Sequence, residues 1–471
     1  MVIALLLLSP LALAALLLPL RSPRLNAFVI KLFAVGHLAG TVALWLRPDS
    51  WTPYFAIDPL NILFLLLLSV LNFGTSFYQG VFLKRSGLTA RWHTFYAVFL
   101  LLFLFSMTGL LLSTHLGLLW VFMEATTLAG APFLYYEGNR AALEATWKFV
   151  FICSVGIALA FVGILLLSMG LGPGDTLFFA DLEANARGIN PFWLGLSIPF
   201  LLVGFGTKVG LAPVHAWLPD AHAEAPSPIS AMLSGALLNT AFLGILRFMK
   251  IAERAGRGEA VSRLLLVMGF LSLFVCAVFV LRSRNYKRLL AYSSVENMGL
   301  AAIGAGLGGI GLLAAVIHLT SHSLAKAGCF LTAGNILHRY RTKEIDDVRG
   351  VLRADPASGG LWLAGFAALA AFPPSPAFLS EFFMIQAMLG RGWGWMIVPF
   401  ALLIAVIVFG MGRSVLGMAF GTPIGKLRPG RIPAANYWPQ AAFLLAAATV
   451  GCWAVAPLTR LLREAAAYLG G

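Results

Sequence analysis

The chain has 471 residues, of which 60% are hydrophobic and only 11% charged. A soluble chain carries about 25% charged residues, so most of this surface is built to face lipid. The formal net charge of +14 does not mark a nucleic-acid binder, because the basic residues sit in short loops between apolar runs, where the positive-inside bias puts them. The four cysteines, Cys153, Cys276, Cys329 and Cys452, lie in apolar stretches and form no C-x-x-C pair. They read as small core hydrophobes rather than ligands of zinc or an iron–sulfur cluster. With no Rossmann, Walker A or haem-attachment motif either, no cofactor is expected here, and any redox chemistry belongs to a partner.

At about 20 apolar residues per bilayer crossing, spans are expected near 2–20, 27–46, 58–82, 93–112, 115–136, 146–170, 191–214, 226–249, 262–281, 288–307, 310–337, 359–387, 394–418 and 440–459. The first reads as a retained helix rather than a signal peptide, since Arg21 and Arg24 follow its apolar run instead of preceding it. The fold class is therefore an all-α polytopic membrane protein of about fourteen helices. No soluble domain is expected, and the longest loops are 171–190 and 338–358. With both termini outside, the cytoplasmic loops hold most of the Lys and Arg, although the basic stretch Arg247–Arg263 falls on the other side.

Two spans cannot be regular helices throughout. Span seven contains Gly204-Phe-Gly-Thr-Lys-Val-Gly-Leu-Ala-Pro213, and span twelve contains Ala370-Ala-Phe-Pro373-Pro374-Ser-Pro376. Broken backbone at membrane depth is tolerated where it is buried in protein or lines a polar cavity, and paired breaks in two halves point to an inverted repeat. The same five-span offset relates Glu124 to Glu296 and Lys148 to Lys326. Four segments follow: N-terminal helices over 1–92, a first five-helix repeat over 93–249, a second over 262–418, and a final helix in 440–471.

Ionisable residues inside a membrane are functional candidates by default. This chain carries Glu124 in span five, Glu144 and Lys148 opening span six at i, i+4, and Lys208 before the first break. Glu296 lies in span ten, His318, His322 and Lys326 share one face of span eleven, and Glu381 follows the second break. The span-eleven series covers about 12 Å along the helix axis. A buried lysine is driven toward neutrality by desolvation and toward charge by a carboxylate. At an effective dielectric near 20, a charge 4 Å away is worth about 4 kcal/mol, enough to load or unload a proton as Glu124 approaches or leaves Lys208. Blander readings stand beside this: Glu144–Lys148 as a structural ion pair, His318 and His322 as satisfied core histidines, Glu296 as the cap of a buried network. His37, His93, His115 and His338 lie near helix ends or in loops and are assigned no role.

The segment from Lys208 to Gly235, with Ala212-Pro213-Val-His-Ala-Trp-Leu-Pro-Asp-Ala-His-Ala-Glu-Ala-Pro-Ser-Pro at its centre, resembles the signature of the antiporter-like subunits of respiratory complex I, Mrp antiporters and membrane-bound hydrogenases. So do Lys287-Arg-Leu-Leu-Ala-Tyr-Ser-Ser-Val-Glu-Asn-Met-Gly and His322-Ser-Leu-Ala-Lys-Ala-Gly, and the likeness runs over roughly 50–420. Within that family, Glu124-Ala-Thr-Thr-Leu and Ala142-Leu-Glu-Ala-Thr-Trp-Lys are most similar to the F subunit of hydrogenase-4-type complexes. The resemblance implies fourteen core helices, two inverted repeats and a central hydrophilic axis. It implies that Glu124 and Lys208 form a coupling pair, that His318, His322 and Lys326 carry protons across span eleven, and that Glu381 ends the path. In one departure, Asn239 stands where many relatives have a span-eight lysine, and an amide cannot hold the extra proton. The long lateral helix of the largest complex I relative is not expected here.

The resulting expectation is a proton-translocating subunit, in a bacterial or archaeal inner membrane, of a complex I-related redox complex of hydrogenase-4 type. Its implied partners are other antiporter-like and small membrane subunits and peripheral hydrogenase or iron–sulfur subunits; it is not expected to be catalytic itself. The alternatives are an Mrp-type cation/proton antiporter module, the membrane subunit of an ion-coupled inorganic-carbon uptake complex, and a non-conducting scaffold.

Overall fold

The structure, a computed structural model, describes residues 1–470 apart from 86, 88, 426, 429 and 431. Lys426 and Arg431, two of the basic residues of an expected cytoplasmic loop, and Gly471, the end of the last expected segment, lie outside the described residues.

Among the described residues the regular elements are helices apart from one small hairpin. Helices α1 (Val2–Leu20) and α2 (Pro23–Leu46) lead to strands β1 (Ser50–Thr52) and β2 (Phe55–Ala56), which pair antiparallel. Next come α3 (Pro59–Arg85), α4 (Ala90–Leu112), α5 (Leu116–Leu134), α6 (Arg140–Met169), the short α7 (Phe179–Ala184) and α8 (Pro191–Val209). The short helices α9 (Trp217–Glu224) and α10 (Ser227–Met232) are followed by a π-helical turn over Leu233–Leu237, which runs on into α11 (Leu238–Arg254). The remainder is α12 (Gly258–Val280), α13 (Tyr286–Leu307), α14 (Ile310–Tyr340), α15 (Val351–Ala354), α16 (Pro356–Leu369), α17 (Pro376–Gly390), α18 (Ile397–Ala419), α19 (Trp438–Gly451) and α20 (Ala456–Gly470). The starts follow local chemistry. Proline opens α2, α8, α16 and α17, where its missing N–H costs nothing. Asn139 caps α6 by accepting from Ala142 N at 2.8 Å, and Asn285 caps α13 through Lys287 N at 3.0 Å.

Among the described residues, 11 helices are long and apolar enough to cross a bilayer, or up to 12 if the bent pair α19–α20 is one span. The count of fourteen is not reached by length and apolarity. Helix α13 falls out because it carries Lys287, Arg288, Glu296 and Asn297, and α16 and α17 are each short on their own. The expected span 440–459 is not one straight helix either: α19 ends at Gly451, and the chain turns by 71° into α20. Cys452 sits at this corner and is exposed, unlike the other three cysteines, which are buried as expected. The 171–190 loop contains α7, and α6 begins at Arg140, earlier than the apolar run suggests.

The helices at the centre are fully enclosed, and large apolar side chains such as Phe151, Val267, Phe409 and Leu445 point outward. In lipid, helix association depends on close backbone approach at small residues. Helices α6 and α8 meet through Gly156, Ala160, Gly163 and Gly204; a Cβ on Gly204 would lie 2.5 Å from the Ala160 backbone nitrogen. Helices α12 and α13 meet in the same way, and a Cβ on Gly269 would lie 2.8 Å from the Gly299 carbonyl oxygen.

Both expected breaks are present. After α8, Gly210 turns the chain at φ 81°, and the Ala212–Pro213 peptide is cis. The backbone groups released there find partners: the Trp217 indole donates to Thr207 O at 2.7 Å, and Ser272 Oγ accepts from Ala212 N at 2.9 Å. This is how broken backbone survives at membrane depth. Between α16 and α17 the chain passes through Ala371 at φ 55° and a cis Pro373–Pro374 peptide, and Ser375 Oγ donates to Ala368 O at 2.8 Å.

Gly204→Val should force α6 and α8 apart and lower stability by about 1–3 kcal/mol or more. Gly195→Ala, whose added Cβ meets nothing within 4 Å, should be close to neutral. Thermal melting of the two purified variants separates these outcomes.

Candidate functional site

The first break sets Lys208 in the last turn of α8, with no exposed surface. A buried ammonium requires partners. Its Nζ donates to Thr127 Oγ1 at 2.7 Å and lies 5.0 Å from the centre of the Phe149 ring. The Thr127 hydroxyl donates in turn to Glu124 Oε2 at 3.3 Å, and Ser154 donates to Glu124 Oε1 at 2.6 Å. Glu124 and Lys208 are thus brought together through a hydroxyl rather than as a direct ion pair. Thr127 lies one turn from Glu124 on α5, the i+3 spacing that puts two side chains on one face; that spacing was the available sequence signal.

Helix α14 is the second locus. His318, His322 and Lys326 are each at most 1% exposed. His318 Nδ1 pairs with Ser380 Oγ at 2.8 Å, on the helix that carries Glu381. His322 Nε2 donates to Ser234 O at 3.2 Å, and Ser323 Oγ donates to Gly235 O at 2.6 Å, so the π-helical turn presents two carbonyls to α14. Lys326 Nζ donates to Leu290 O at 2.7 Å and to the Ser293 hydroxyl. Asn239 bridges α11 to α14 by donating to Leu319 O at 2.8 Å and Ser323 Oγ at 2.6 Å. Ser234 and Ser294 share a hydrogen bond at 2.8 Å and join the π turn to α13. Glu296 is 4% exposed in α13, and Glu381 is partly exposed on α17.

Glu144 and Lys148 are placed differently from the rest. They form an ion pair at 2.6 Å, but Glu144 is 63% and Lys148 41% exposed, so the pair lies at the protein surface. Lys148 also binds Asp220 of α9 at 2.8 Å, and Asp220 pairs with Arg288 of α13.

Several buried polar groups were not singled out from the sequence. His222 is fully buried, stacks on Phe330 at 4.9 Å, and among the described residues has no hydrogen-bond partner at either ring nitrogen. Lys287 Nζ donates to Ala225 O at 2.5 Å behind a cavity of about 190 Å³ lined by Tyr78, Glu137 and Ser227. On the opposite side, Arg247 pairs with Asp58 and donates to the Tyr468 hydroxyl at 2.7 Å, while Lys250 binds Glu183 at 2.8 Å. His37 is a satisfied core histidine between Ser69 and Thr108, and His115 caps α5.

Thr127→Val removes the acceptor for a fully buried ammonium and should lower stability by about 1–3 kcal/mol. Thr127→Ser keeps the hydroxyl and should melt close to the parent protein.

Residues 113–407 match the family described as "NADH:quinone oxidoreductase/Mrp antiporter, TM". The chain is 33% identical over 423 residues to the hydrogenase-4 component F homolog of Methylacidiphilum infernorum, covering 87% of this chain and 88% of that one. Its fold is similar to a chain of the Mrp complex from Dietzia sp. DQ12-45-1b, with a TM-score of 0.89 at 20% identity over 99% of this chain and 97% of that one. It is also similar to a chain of the archaeal membrane-bound sulfane sulfur reductase, with a TM-score of 0.88 at 23% identity over 100% of this chain and 98% of that one. The chain is a multi-pass membrane protein of the antiporter-like family shared by NADH:quinone oxidoreductases and Mrp antiporters.

Proposed function

We propose that the protein is the proton-carrying, antiporter-like subunit of a complex I-related redox complex of hydrogenase-4 type, seated in a prokaryotic inner membrane with both termini outside. The observation that carries this reading is the hydroxyl bridge between Lys208 and Glu124. Thr127 accepts from the ammonium while it donates to the carboxylate. If Lys208 passes one proton to the Thr127 oxygen, Thr127 passes its own to Glu124. The result is a neutral lysine, an unchanged threonine and a protonated glutamate. The reverse shift reloads the lysine. Such a relay moves a proton without bringing the two charges into contact, and a change in the position of Glu124 or Thr127 interrupts it.

Beyond Lys208 the path continues over the α14 face that carries His318, His322 and Lys326 and leaves at the His318 end, where Ser380 adjoins Glu381, with Glu296 beside Lys326. Asn239 holds no proton. It positions α14 through Leu319 and Ser323, and the relay past it is carried by the histidines and by water. Glu144 and Lys148 serve in this reading as an anchor at the surface rather than as carriers, because both are half exposed. The breaks at Pro213 and at Pro373–Pro374 correspond in two inverted five-helix units, 93–249 and 262–418, flanked by 1–92 and 440–471. The 33% identity with a hydrogenase-4 component F homolog supports the redox assignment. Sister antiporter-like subunits and a peripheral hydrogenase or iron–sulfur arm are its partners.

The test is redox-driven proton uptake by the whole complex in liposomes. Lys208→Ala and Glu124→Gln should each reduce pumping by about tenfold or more, within the range expected when a proton carrier is lost, with assembly unchanged. Thr127→Ser should pump like the parent complex. Pumping unaffected in both charge variants would make these residues structural; sodium-dependent proton exchange without redox input would reassign the protein to the Mrp type.

A further inference from the structure

A cavity of about 660 Å³ opens where the loop after α12, the loop before α15 and the end of α18 meet. Four arginines line it: Arg282, Arg284, Arg349 and Arg413, with Asp346 as the acidic residue among them. All four are exposed, and none has a hydrogen bond or ion pair from its guanidinium among the described residues. Their neighbours on the same side of the membrane are different. Arg288 is paired with Asp220, Lys148 with Glu144 and Asp220, and Lys343 with Glu224 and Glu137. Asp220, Glu144, Glu224 and Glu137 are thus engaged elsewhere, and four arginines against Asp346 leave the cavity lining a surplus of positive charge.

The arginines are held in place by their backbone. Ile345 N donates to Arg284 O at 2.7 Å and Tyr286 N to Lys343 O at 3.1 Å, which ties the 282–286 turn to the 343–345 segment. Gly350 N donates to Phe420 O at 3.0 Å and fastens Arg349 to the end of α18. Gly421, at φ 96°, leaves room for the Arg349 side chain; a Cβ there would lie 2.8 Å from its Nε. Gly410 lets α18 approach the end of α12, since a Cβ there would lie 2.7 Å from Val280.

Below the cavity the surface is apolar. Phe274 and Val278 of α12 and Leu281 just after it are exposed, as are Leu402, Phe409 and Leu416 of α18. On α18 the last three recur every seven residues, so they form one stripe, and Arg413 lies on the same face between Phe409 and Leu416. A fixed cationic head site above an apolar groove fits an amphiphile with an anionic head. Guanidinium groups match phosphate by paired N–H donors, and basic pockets between spans at the cytoplasmic surface are suited to acidic lipid heads.

We propose that this cavity binds the phosphate headgroup of an anionic phospholipid, with its acyl chains lying along α12 and α18. The shared chemistry is a phosphate ester; the apolar groove assigns its source to the membrane. The test is native mass spectrometry of the full-length, detergent-purified protein with palmitoyl-oleoyl phosphatidylglycerol, the matching phosphatidylcholine, or inorganic phosphate. The parent protein should retain phosphatidylglycerol in preference to phosphatidylcholine. Each arginine changed to glutamine should weaken phosphatidylglycerol binding by about fivefold, so that Arg282→Gln with Arg413→Gln loses about twenty-five-fold and phosphatidylcholine binding is unaffected. Arg257→Gln with Arg263→Gln, on the other side of the membrane, should change nothing. Because the four guanidinium groups make no described hydrogen bond or ion pair, the double variant should melt like the parent in lipid-free detergent. Equal binding of both lipids, or an unchanged double variant, overturns the proposal. So does displacement of phosphatidylglycerol by an equal concentration of inorganic phosphate, which would mark a free-anion site. Cross-linking of Gly417→Cys to a sister subunit in the assembled complex would instead assign the cavity to a protein contact.

Discussion

The structure is organised around the requirement that a charge taken into a membrane interior must be given partners there. Lys208 has no exposed surface, and its ammonium is held by Thr127 and the face of Phe149. It stands in the last turn of α8 because the helix stops one residue later, and that break releases backbone groups that must also be satisfied. Trp217 and Ser272 supply those bonds from α9 and α12. The glycine contacts between α6 and α8 bring Ser154 and Phe149 into range. The placement of four helices therefore follows from one lysine.

Helix α14 solves the same problem by different means. His318, His322 and Lys326 are enclosed on every side, yet carboxylates do little of the bonding. Carbonyls of the π turn, the Leu290 carbonyl, and the hydroxyls of Ser293 and Ser380 meet these side chains. Neutral partners satisfy donors without locking a charge in place, whereas a buried ion pair is costly to separate. Asn239 belongs to this neutral scaffold. It binds a carbonyl and a hydroxyl of α14 at the level of the histidines.

Much of this was legible in the sequence, and the gaps have physical causes. Spans were readable where the apolar run was long, as in α4 and α12. Both breaks were readable because Gly and Pro leave the backbone few alternatives. Helix α13 shows how an apolarity threshold undercounts: apart from Arg288 and Tyr292 its residues are buried by protein, so it tolerates Lys287, Glu296 and Asn297. The turn at Gly451 was missed because α20 keeps enough apolar residues to extend the run, while its amphipathic face packs against α3 and α14. Among the site residues the charges were conspicuous and the hydroxyls were not. Thr127, Ser154, Ser293 and Ser380 are common residue types whose importance depends on which helix lies opposite, and that is a matter of tertiary packing. Exposure was equally hidden: Glu144 and Lys148 sit at the i, i+4 spacing of a buried pair, yet they lie at a surface because α6 starts well before its apolar run.

The surface cluster that contains Lys148 has a consequence for mechanics. Glu144 and Asp220 face Lys148 and Arg288, two anions against two cations drawn from α6, α9 and α13. A balanced quartet has no net charge to expel or attract a passing ion, so its members cohere whether or not a charge sits nearby. The short helix α9 follows directly on the loop behind Lys208, and it is pinned at Asp220 to two long helices at once. Asp220 therefore ties α9 to α6 and α13 at a single point, and the stretch between Lys208 and that point is held at both of its ends.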